Sequence, residues 1–461
     1  MHEGRTVQRD RPDHGGPAAV DVLFVLAVVS VAAVGLFGGA SRENALRLAA
    51  VELCTLPLAT LAIRRIVRAE SPLQRPAAAP LSVLILIAAV PLLQLIPLPP
   101  SVWTALPGQT PRLEALGLIH AAPPWLPMTL SPRDTRGVAL ALIPPVAMWL
   151  GTLCLTPVQT RRLGALWIAV GVAGLVVGVA QLATPAGSPA YIYQTTNLGS
   201  LVGLFANRNH EAGFLLALLP VAAALTVPSA RLSSRPTGAR KPVLAPWLAG
   251  LFVLISVVAL GVIRSRAGII LAGPAVLAAL AVLWRGAGGR QGRRIAAGVA
   301  VAAGVAAVAV TAFALSPILD RFAPQASVEF RYQAWPYVAD AARAFLPWGS
   351  GLGSFDRVFE AVEPLTLVAP TYFNHAHNDY LELWLETGWV GAAILGLFLA
   401  WLAVAAWRAW MSGSDLARAA SAAIVLLMAQ SWVDYPLRTE TLAMLFAFCC
   451  GVLANQGRSE G

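Results

Sequence analysis

Long apolar runs separated by short polar segments make up most of the sequence. Twelve runs reach about 18 residues, roughly the length that crosses a bilayer as a helix. They lie at 20–37, 45–63, 81–98, 136–154, 164–183, 211–228, 246–263, 267–284, 295–315, 384–407, 417–433 and 439–455. Prolines interrupt several of them, for example at Pro91, Pro144 and Pro220, and proline is tolerated in membrane helices. The pattern predicts an all-α membrane protein with about 12 transmembrane helices.

The spacing of the runs divides the chain into five segments. Residues 1–19 form a tail, 20–315 carry helices 1–9, 316–380 form a long loop with short helices, 381–455 carry helices 10–12, and 456–461 form a second tail. Of the 33 basic residues, 20 lie in alternate connections on the side that holds both tails. The positive-inside rule places this side in the cytoplasm. The long loop is therefore predicted to lie on the outer side.

Composition supports a membrane protein and excludes several functional classes. The chain is 57% hydrophobic and 12% charged, against about 25% charged in globular proteins. Its net charge of +10 is spread over alternate loops, so it does not indicate nucleic-acid binding. The four cysteines fall inside apolar runs without metal-ligand spacing. Because the sequence has no P-loop or Rossmann fingerprint, no nucleotide cofactor is predicted.

The long loop has a helical pattern of its own. Apolar residues in SVEFRYQAWPYVADAARAFLPWG recur at helical spacing, which predicts a short surface helix with a kink at Pro336. A glycine-rich turn, GSGLGSF, follows. The proline-rich stretch 99–135 is instead expected to be extended and packed against the helices. Long loops with this much order are commonly functional.

Arginines and polar residues cluster at three places predicted to lie on the outer side. FANRNHEAG contains Arg208, Asn209 and His210, IRSRAG contains Arg264 and Arg266, and the loop helix contains Arg331. The planar guanidinium group binds phosphate oxygens in pairs. These residues have plainer interpretations too: interfacial anchors for the arginines, a helix cap for the amides, and a pairing of His210 with Glu211.

The segment FNHAHNDYLELWLETGWVG, residues 373–391, has the densest polar chemistry, at the start of a predicted membrane helix. Polar groups at such a boundary are usually kept for function. His377 is a candidate base, with His375 and Asn378 as its neighbours, although a loop histidine bonded to backbone is the alternative. Asp379 and Glu382 have the spacing of a capping box. The HxHxD pattern also resembles a metal site, but a metal is disfavoured because further ligands are scarce.

The segment SWVDYPLRTE, residues 431–440, is predicted to turn between the last two helices on the outer side. Asp434 and Arg438 are expected to pair across this turn. A structural role is favoured for both.

Taken in order, these motifs resemble the O-antigen ligase/polymerase superfamily of bacterial envelope enzymes. The matching pieces are FANRNHEAG, SRAG at the start of a helix, the Arg331–Trp335 helix with WGSGLGSF, HNDYLELWLETGWVG and DYPLR. The resemblance covers most of residues 190–440.

The resemblance implies a metal-independent, inverting glycosyltransferase without a cofactor, in the bacterial inner membrane. Its donor would be a glycan on undecaprenyl diphosphate, and its acceptor lipid A-core or another glycan at the periplasmic face. Carried over to this chain, His377, Arg266 and Arg208 would be catalytic, while the substrate-binding residues would be Arg331, Arg264, His375, His210, Asn378 and Asn209.

Two other functions fit the sequence. Arginines near a membrane could bind the substrate of an anion transporter, although no internal repeat of the kind common in transporters is evident. A protein O-oligosaccharyltransferase would use the same chemistry on a Ser or Thr acceptor. The sequence also leaves ligase and polymerase activity equally open.

Overall fold

The computed structural model describes residues 21–40, 45–68, 75–185, 187–193, 197–228, 243–286, 294, 296–305, 308, 326–368 and 372–456. The tail 1–19, most of the tail 456–461, residues 309–315 of the ninth predicted span and the first ten residues of the long loop lie outside this part of the chain. Within it the secondary structure is helical apart from one pair of two-residue strands.

The helices follow the predicted apolar runs and the predicted loop helix. They are α1 Val22–Phe37, α2 Ala45–Val67, α3 Arg75–Gln94, α4 Pro100–Trp103, α5 Thr110–Leu118, α6 Pro132–Ala141, α7 Ile143–Cys154, α8 Pro157–Leu182, α9 Arg208–Thr226, α10 Pro246–Ile263, α11 Arg266–Gly286, α12 Ala296–Val305, α13 Ala326–Ala344, α14 Phe355–Val362, α15 Asp379–Ser412, α16 Asp415–Gln430 and α17 Glu440–Ala454. Two 3₁₀ turns, Leu365–Leu367 and Pro436–Arg438, lie in the connections.

The prediction of a multi-span helical membrane protein is confirmed, but the number of spans is not. Among the described residues, seven helices are long and apolar enough to cross a bilayer: α2, α6 with α7, α8, α9, α10, α11 and α15. Helices α1, α12 and α17 and the apolar part of α3 are shorter. A total of 12 spans therefore stays a prediction.

Exposed apolar side chains mark a surface suited to lipid. On α8, Val172, Val176 and Val179 are exposed by 45%, 65% and 60%, and their spacing puts them on one face of the helix. In water such a contiguous apolar face would be a liability. In a bilayer it is the expected outer surface of a helix.

Helix α9 forms the centre of the bundle. Every residue from His210 to Thr226 is buried, as expected for a helix that is apolar on all sides. It packs against α8, α10, α11 and α16. At its C-terminal end Arg161 donates to the carbonyl oxygens of Ala224 and Val227, at 3.0 and 2.6 Å, and so satisfies carbonyls that have no partner within the helix.

The long loop folds into a second, smaller core against α15. The predicted surface helix is present as α13, with Pro336 inside it. Ala334, Val338 and Phe345 of α13 pack with Phe355 and Phe359 of α14. The loop is therefore a packed unit that can hold side chains in fixed positions.

The stretch 99–135 differs from the extended segment that its prolines suggested. It contains α4 and α5, and the strand β1, Pro97–Leu98, pairs antiparallel with β2, Leu126–Pro127. Prolines lie at the starts of both helices, where a missing N–H costs nothing, so proline content here sets helix starts.

A break in α15 explains the glycine-rich turn. Gly388 adopts φ +55° and ψ −139°, which leaves the carbonyls of Leu385 and Glu386 without helical partners. They accept N–H groups from Ser350 and Gly351, at 2.9 and 3.0 Å. The turn that supplies these donors has glycines at 349, 351 and 353, all at positive φ, a conformation that glycine adopts without steric cost.

Candidate functional site

His375 and His377 lie on a backbone segment that is held in place by the smaller core of α13 and α14. Ala376, between His375 and His377, is 2% exposed and belongs to this core. Its carbonyl accepts the indole N–H of Trp335, at 3.0 Å. His377 itself has φ +50°, an uncommon conformation for a residue with a side chain. The packed loop thus fixes both histidines just before α15 begins.

His377 is bonded to the last outer loop. Its Nδ1 lies 3.1 Å from Oδ1 of Asp434, and both side chains are buried. Burial lowers the pKa of His377 below its ordinary value, although the bond to Asp434 opposes this effect. Burial alone would raise the pKa of Asp434, but the bond from His377 and nearby positive charges hold that pKa well below its usual range. Asp434 is therefore an ionised acceptor that leaves Nε2 of His377 as the basic atom.

His375 takes a different carboxylate. Its Nδ1 lies 2.9 Å from Oε1 of Glu382, whose Oε2 accepts the N–H of Ala376 at 2.9 Å. The expected capping box of Asp379 and Glu382 is wrong. The helix cap is Asn378, whose side-chain oxygen accepts the N–H groups of Tyr380 and Leu381, both at 3.1 Å. Glu382 is free to bind His375 because Asn378 satisfies the start of the helix.

The ring of Tyr435 contacts the rings of three histidines of the site. The centre of its ring lies 4.3 Å from that of His375, 4.9 Å from that of His377 and 5.0 Å from that of His210. Burial, and then the charge of Asp434, raise the pKa of Tyr435 to about 12, so it remains a neutral phenol. Its hydroxyl lies 3.5 Å from Nδ2 of Asn374. One aromatic ring thereby connects α9, the outer loop and the last turn.

Arg438 binds the acidic face of α15. The expected Asp434–Arg438 pair is wrong, because Arg438 contacts three carboxylates one to two helical turns apart: Asp379 at 3.1 Å, Glu382 at 2.9 Å and Glu386 at 3.3 Å. These carboxylates hold the pKa of Arg438 above its usual value despite burial, which alone would lower it. The guanidinium therefore partly compensates the charge of the acidic face and links the last turn to α15.

Arg331 supplies positive charge beside the histidine cluster. It is half-buried on α13, one turn before Trp335. Its charge acts on Asp434, His377, His210 and Tyr435. The structure thus brings Arg331 near two of the predicted site histidines, His377 and His210.

Arg208 and Arg266 begin neighbouring helices. Arg208 is the first residue of α9, and its Nη1 lies 3.5 Å from Oγ of Ser200. Arg266 is the first residue of α11. The two helix starts touch, since a Cβ built on Gly268 would lie 2.9 Å from Cβ of Ala212. Both guanidinium groups thus extend from helix N-termini, where the backbone dipoles already favour anions.

The other predicted residues lie around this centre. Arg264 is exposed at the end of α10, in the left-handed conformation with φ +54°. The carbonyl of Asn209 accepts the side-chain N–H of Gln430 on α16, at 2.6 Å. The suggested pairing of His210 with Glu211 is not found: His210 faces Tyr435, and the Glu211 carboxylate lies against Gly203 and Gly174.

Part of the chain, including part of this site, matches a known protein family. Residues 251–396 match the family model described as O-antigen ligase (Wzy_C). This stretch of the membrane protein is an O-antigen ligase domain. Curated proteins give no match to the sequence.

The O-antigen ligase match contains part of the site. It spans Arg264, Arg266, Arg331, His375 and His377, from α10 into α15. Arg208, Asn209 and His210 precede the match, and Asp434 and Arg438 follow it. Contacts in the structure join these residues to the matched part: Tyr435 contacts His210 and His377, and Asp434 bonds to His377.

Several residues of this cluster were not predicted from the sequence. Tyr435 was not singled out, and Asp434 and Arg438 were assigned to the turn itself. The sequence feature that could have identified them is the presence of ionisable side chains near the bilayer, which are costly unless they are paired. Asp379, Glu382 and Glu386 are three such side chains on one helix face, and they require a cation that the chain supplies only from Arg438 among the described residues.

Proposed function

We propose that this enzyme transfers a glycan from undecaprenyl diphosphate to an acceptor hydroxyl at the periplasmic face of the bacterial inner membrane, with both termini in the cytoplasm. The observation that carries the proposal is the bond between His377 and Asp434, within the electrostatic reach of Arg331. It combines a base with a cation in the part of the chain that matches the O-antigen ligase family or borders it.

The donor diphosphate is assigned to the arginines. Arg208 and Arg266 extend from two adjacent helix N-termini, so guanidinium charge and backbone dipoles act in the same direction. Arg331 adds a third charge towards His377. Fixed positive groups aimed at the developing negative charge usually provide the largest single contribution to catalysis. Arg264, exposed at the link between α10 and α11, is assigned to the outer phosphate.

His377 is assigned to the acceptor. The acceptor oxygen attacks the anomeric carbon and its proton passes to Nε2 of His377, while the bond from the anomeric carbon to the diphosphate oxygen breaks. The electron pair of that bond leaves on the diphosphate, where the arginines stabilise it. Attack opposite the leaving group inverts the anomeric centre. The step needs no metal, because the cations of the chain take the negative charge.

The remaining site residues orient this machinery and the sugar. His375 is held by Glu382 beside Tyr435, and His210 packs on the other side of the same ring. Asn209 and Asn378 use backbone or side-chain oxygens to hold α9 and α15, so we assign only their remaining amide groups to substrate.

The proposal is tested by surface polysaccharide in a deletion strain complemented with wild type or with His377→Ala at equal expression. Loss of polymer from lipid A-core, with polymer accumulating on the lipid carrier, identifies a ligase. Single repeat units in place of long chains identify a polymerase. Full-length surface polysaccharide in the deletion strain or the His377→Ala strain contradicts the proposal.

A further inference from the structure

A partly open cavity of about 760 Å³ lies between α2, α3, α7, α15 and α17. Its volume is in the range of ligand pockets, about 300–1,000 Å³. Apolar side chains such as Leu84, Val146 and Phe398 line its depth, and His375 and Arg438 lie at its polar end. The four arginines assigned to the diphosphate are not among the described residues that line it.

The charges of the cavity do not suit a diphosphate. Its lining contains two arginines, Arg133 and Arg438, and Arg438 is already bound by three carboxylates. Six carboxylates line it: Glu52, Asp134, Asp379, Glu382, Glu386 and Glu440. Acidic side chains outnumber arginines in this lining, which disfavours an anion and suits a ligand rich in hydroxyl groups. A second substrate without phosphate at this position fits the lining.

Glu440 is the lining residue whose side chain most needs a hydrogen-bonding partner. It is 4% exposed, it lines the cavity, and neither of its carboxylate oxygens has a hydrogen-bond partner among the described residues. Glu52 of α2 is close enough to act on it electrostatically. Buried polar atoms are nearly always hydrogen-bonded, and an unpaired buried carboxylate is costly. A donor group from a bound molecule would satisfy Glu440.

We propose that this cavity binds the saccharide head of a lipid-anchored acceptor, with the Glu440 side chain hydrogen-bonded to sugar hydroxyls. This inference rests on the proposed glycosyl transfer and names its acceptor class. The apolar walls accommodate the lipid part. The polar end reaches His375, whose ring lies against Tyr435 together with that of His377, so the acceptor approaches the base from this side. The donor diphosphate occupies the arginine side, towards α9 and α11.

The experiment is photo-crosslinking of the purified, full-length protein with two probes. One is dodecyl glucoside with a diazirine in its alkyl chain, and the other is dodecyl phosphate with the same diazirine. The glucoside is expected to label segments that line the cavity at least tenfold more than the phosphate. Glu440→Leu is expected to lower glucoside labelling at least fivefold, with Glu440→Gln intermediate.

Glu114→Leu is the matched control, because Glu114 is exposed on α5 and does not line the cavity. Glu440→Leu removes an unpaired buried carboxylate, so it is expected to unfold at a temperature at least as high as that of wild type. Glucoside labelling that is unchanged in a folded Glu440→Leu protein overturns the inference. So does equal labelling of the cavity by dodecyl phosphate.

The labelling experiment does not require glycosyl transfer, so two failures can be told apart. If wild type makes surface polymer but labelling is independent of Glu440, the acceptor site is wrong and the proposed function stands. If labelling depends on Glu440 but deletion of the gene leaves surface polysaccharide unchanged, the proposed function is wrong.

Discussion

His377 and Asp434 are 57 residues apart in the chain, and Nδ1 of one lies 3.1 Å from Oδ1 of the other. The same carboxylate oxygen accepts the N–H of Tyr435 at 3.0 Å, which fixes its position. The base therefore comes from the long outer loop, and the last turn of the bundle orients it. Movement of either part would change the direction of the imidazole.

Asp434→Asn is expected to lower kcat about 100-fold, at the lower end of the range for general acid–base catalysis. It should also shift the acidic limb of the pH–rate profile to lower pH. Activity requires neutral His377, so it is lost as pH falls through the pKa of His377, which burial already places below its ordinary value. The bond to Asp434 opposes that lowering, and without it the pKa falls further.

The pH–rate profile of the purified enzyme measures both effects. Asp340→Asn is the control, because Asp340 is 69% exposed and forms its ion pair with Arg343, outside the histidine cluster. An acidic limb that moves to higher pH in Asp434→Asn would contradict the orientation of His377 by Asp434.

Arg438→Gln is expected to destabilise the protein by about 3–5 kcal/mol, because removing one member of a buried ion cluster leaves the others unpaired. Three carboxylates of α15 would lose their cation. Thermal unfolding in detergent measures the loss. Arg343→Gln removes an arginine that is 70% exposed and should change stability by less than about 1 kcal/mol. Equal unfolding temperatures for the two variants would refute the structural role of Arg438.

Arg208→Ala and Arg266→Ala are each expected to lower kcat/KM for the lipid diphosphate donor about 100- to 1,000-fold, the usual effect of removing one group that stabilises developing charge. The acceptor KM should change little. Initial rates at varied donor and acceptor concentrations separate the two effects, with Arg343→Ala as the matched control. An effect confined to the acceptor KM would remove both arginines from the diphosphate site.

Gly388→Ala is expected to destabilise the protein, since a Cβ at φ +55° would overlap the carbonyl oxygen of Pro347. Strain of this kind costs about 1–3 kcal/mol, to which the overlap adds. Gly396→Ala is the control within the same helix, where nothing lies within 4 Å of the added Cβ. That change should stabilise by about 0.5–1 kcal/mol. Unfolding temperatures that shift in the same direction in both variants would contradict this account of the break in α15.

The helices could be predicted from the sequence because they depend on residues close together in the chain. The site could be predicted only in part because it depends on contacts between distant segments. Apolar runs and the α13 pattern depend on neighbours a few residues apart, so the sequence contains them directly. The acidic face of α15 is also a local feature, because Asp379, Glu382 and Glu386 are three and four residues apart on one helix. Its partner Arg438 and the His377–Asp434 bond depend on how distant turns meet, and the capping-box interpretation failed because Asn378 competes successfully for the helix start. The break at Gly388 has no signal beyond a single glycine.

The most direct test of the account is glycan transfer by His377→Ala in nanodiscs that contain undecaprenyl diphosphate-linked donor and lipid-anchored acceptor. Release of undecaprenyl diphosphate and formation of the glycosylated acceptor are followed together, and donor binding is measured separately. The account predicts that His377→Ala binds donor as wild type does and forms product at least 100-fold more slowly. Product formation at the wild-type rate would contradict the assignment of His377 as the base.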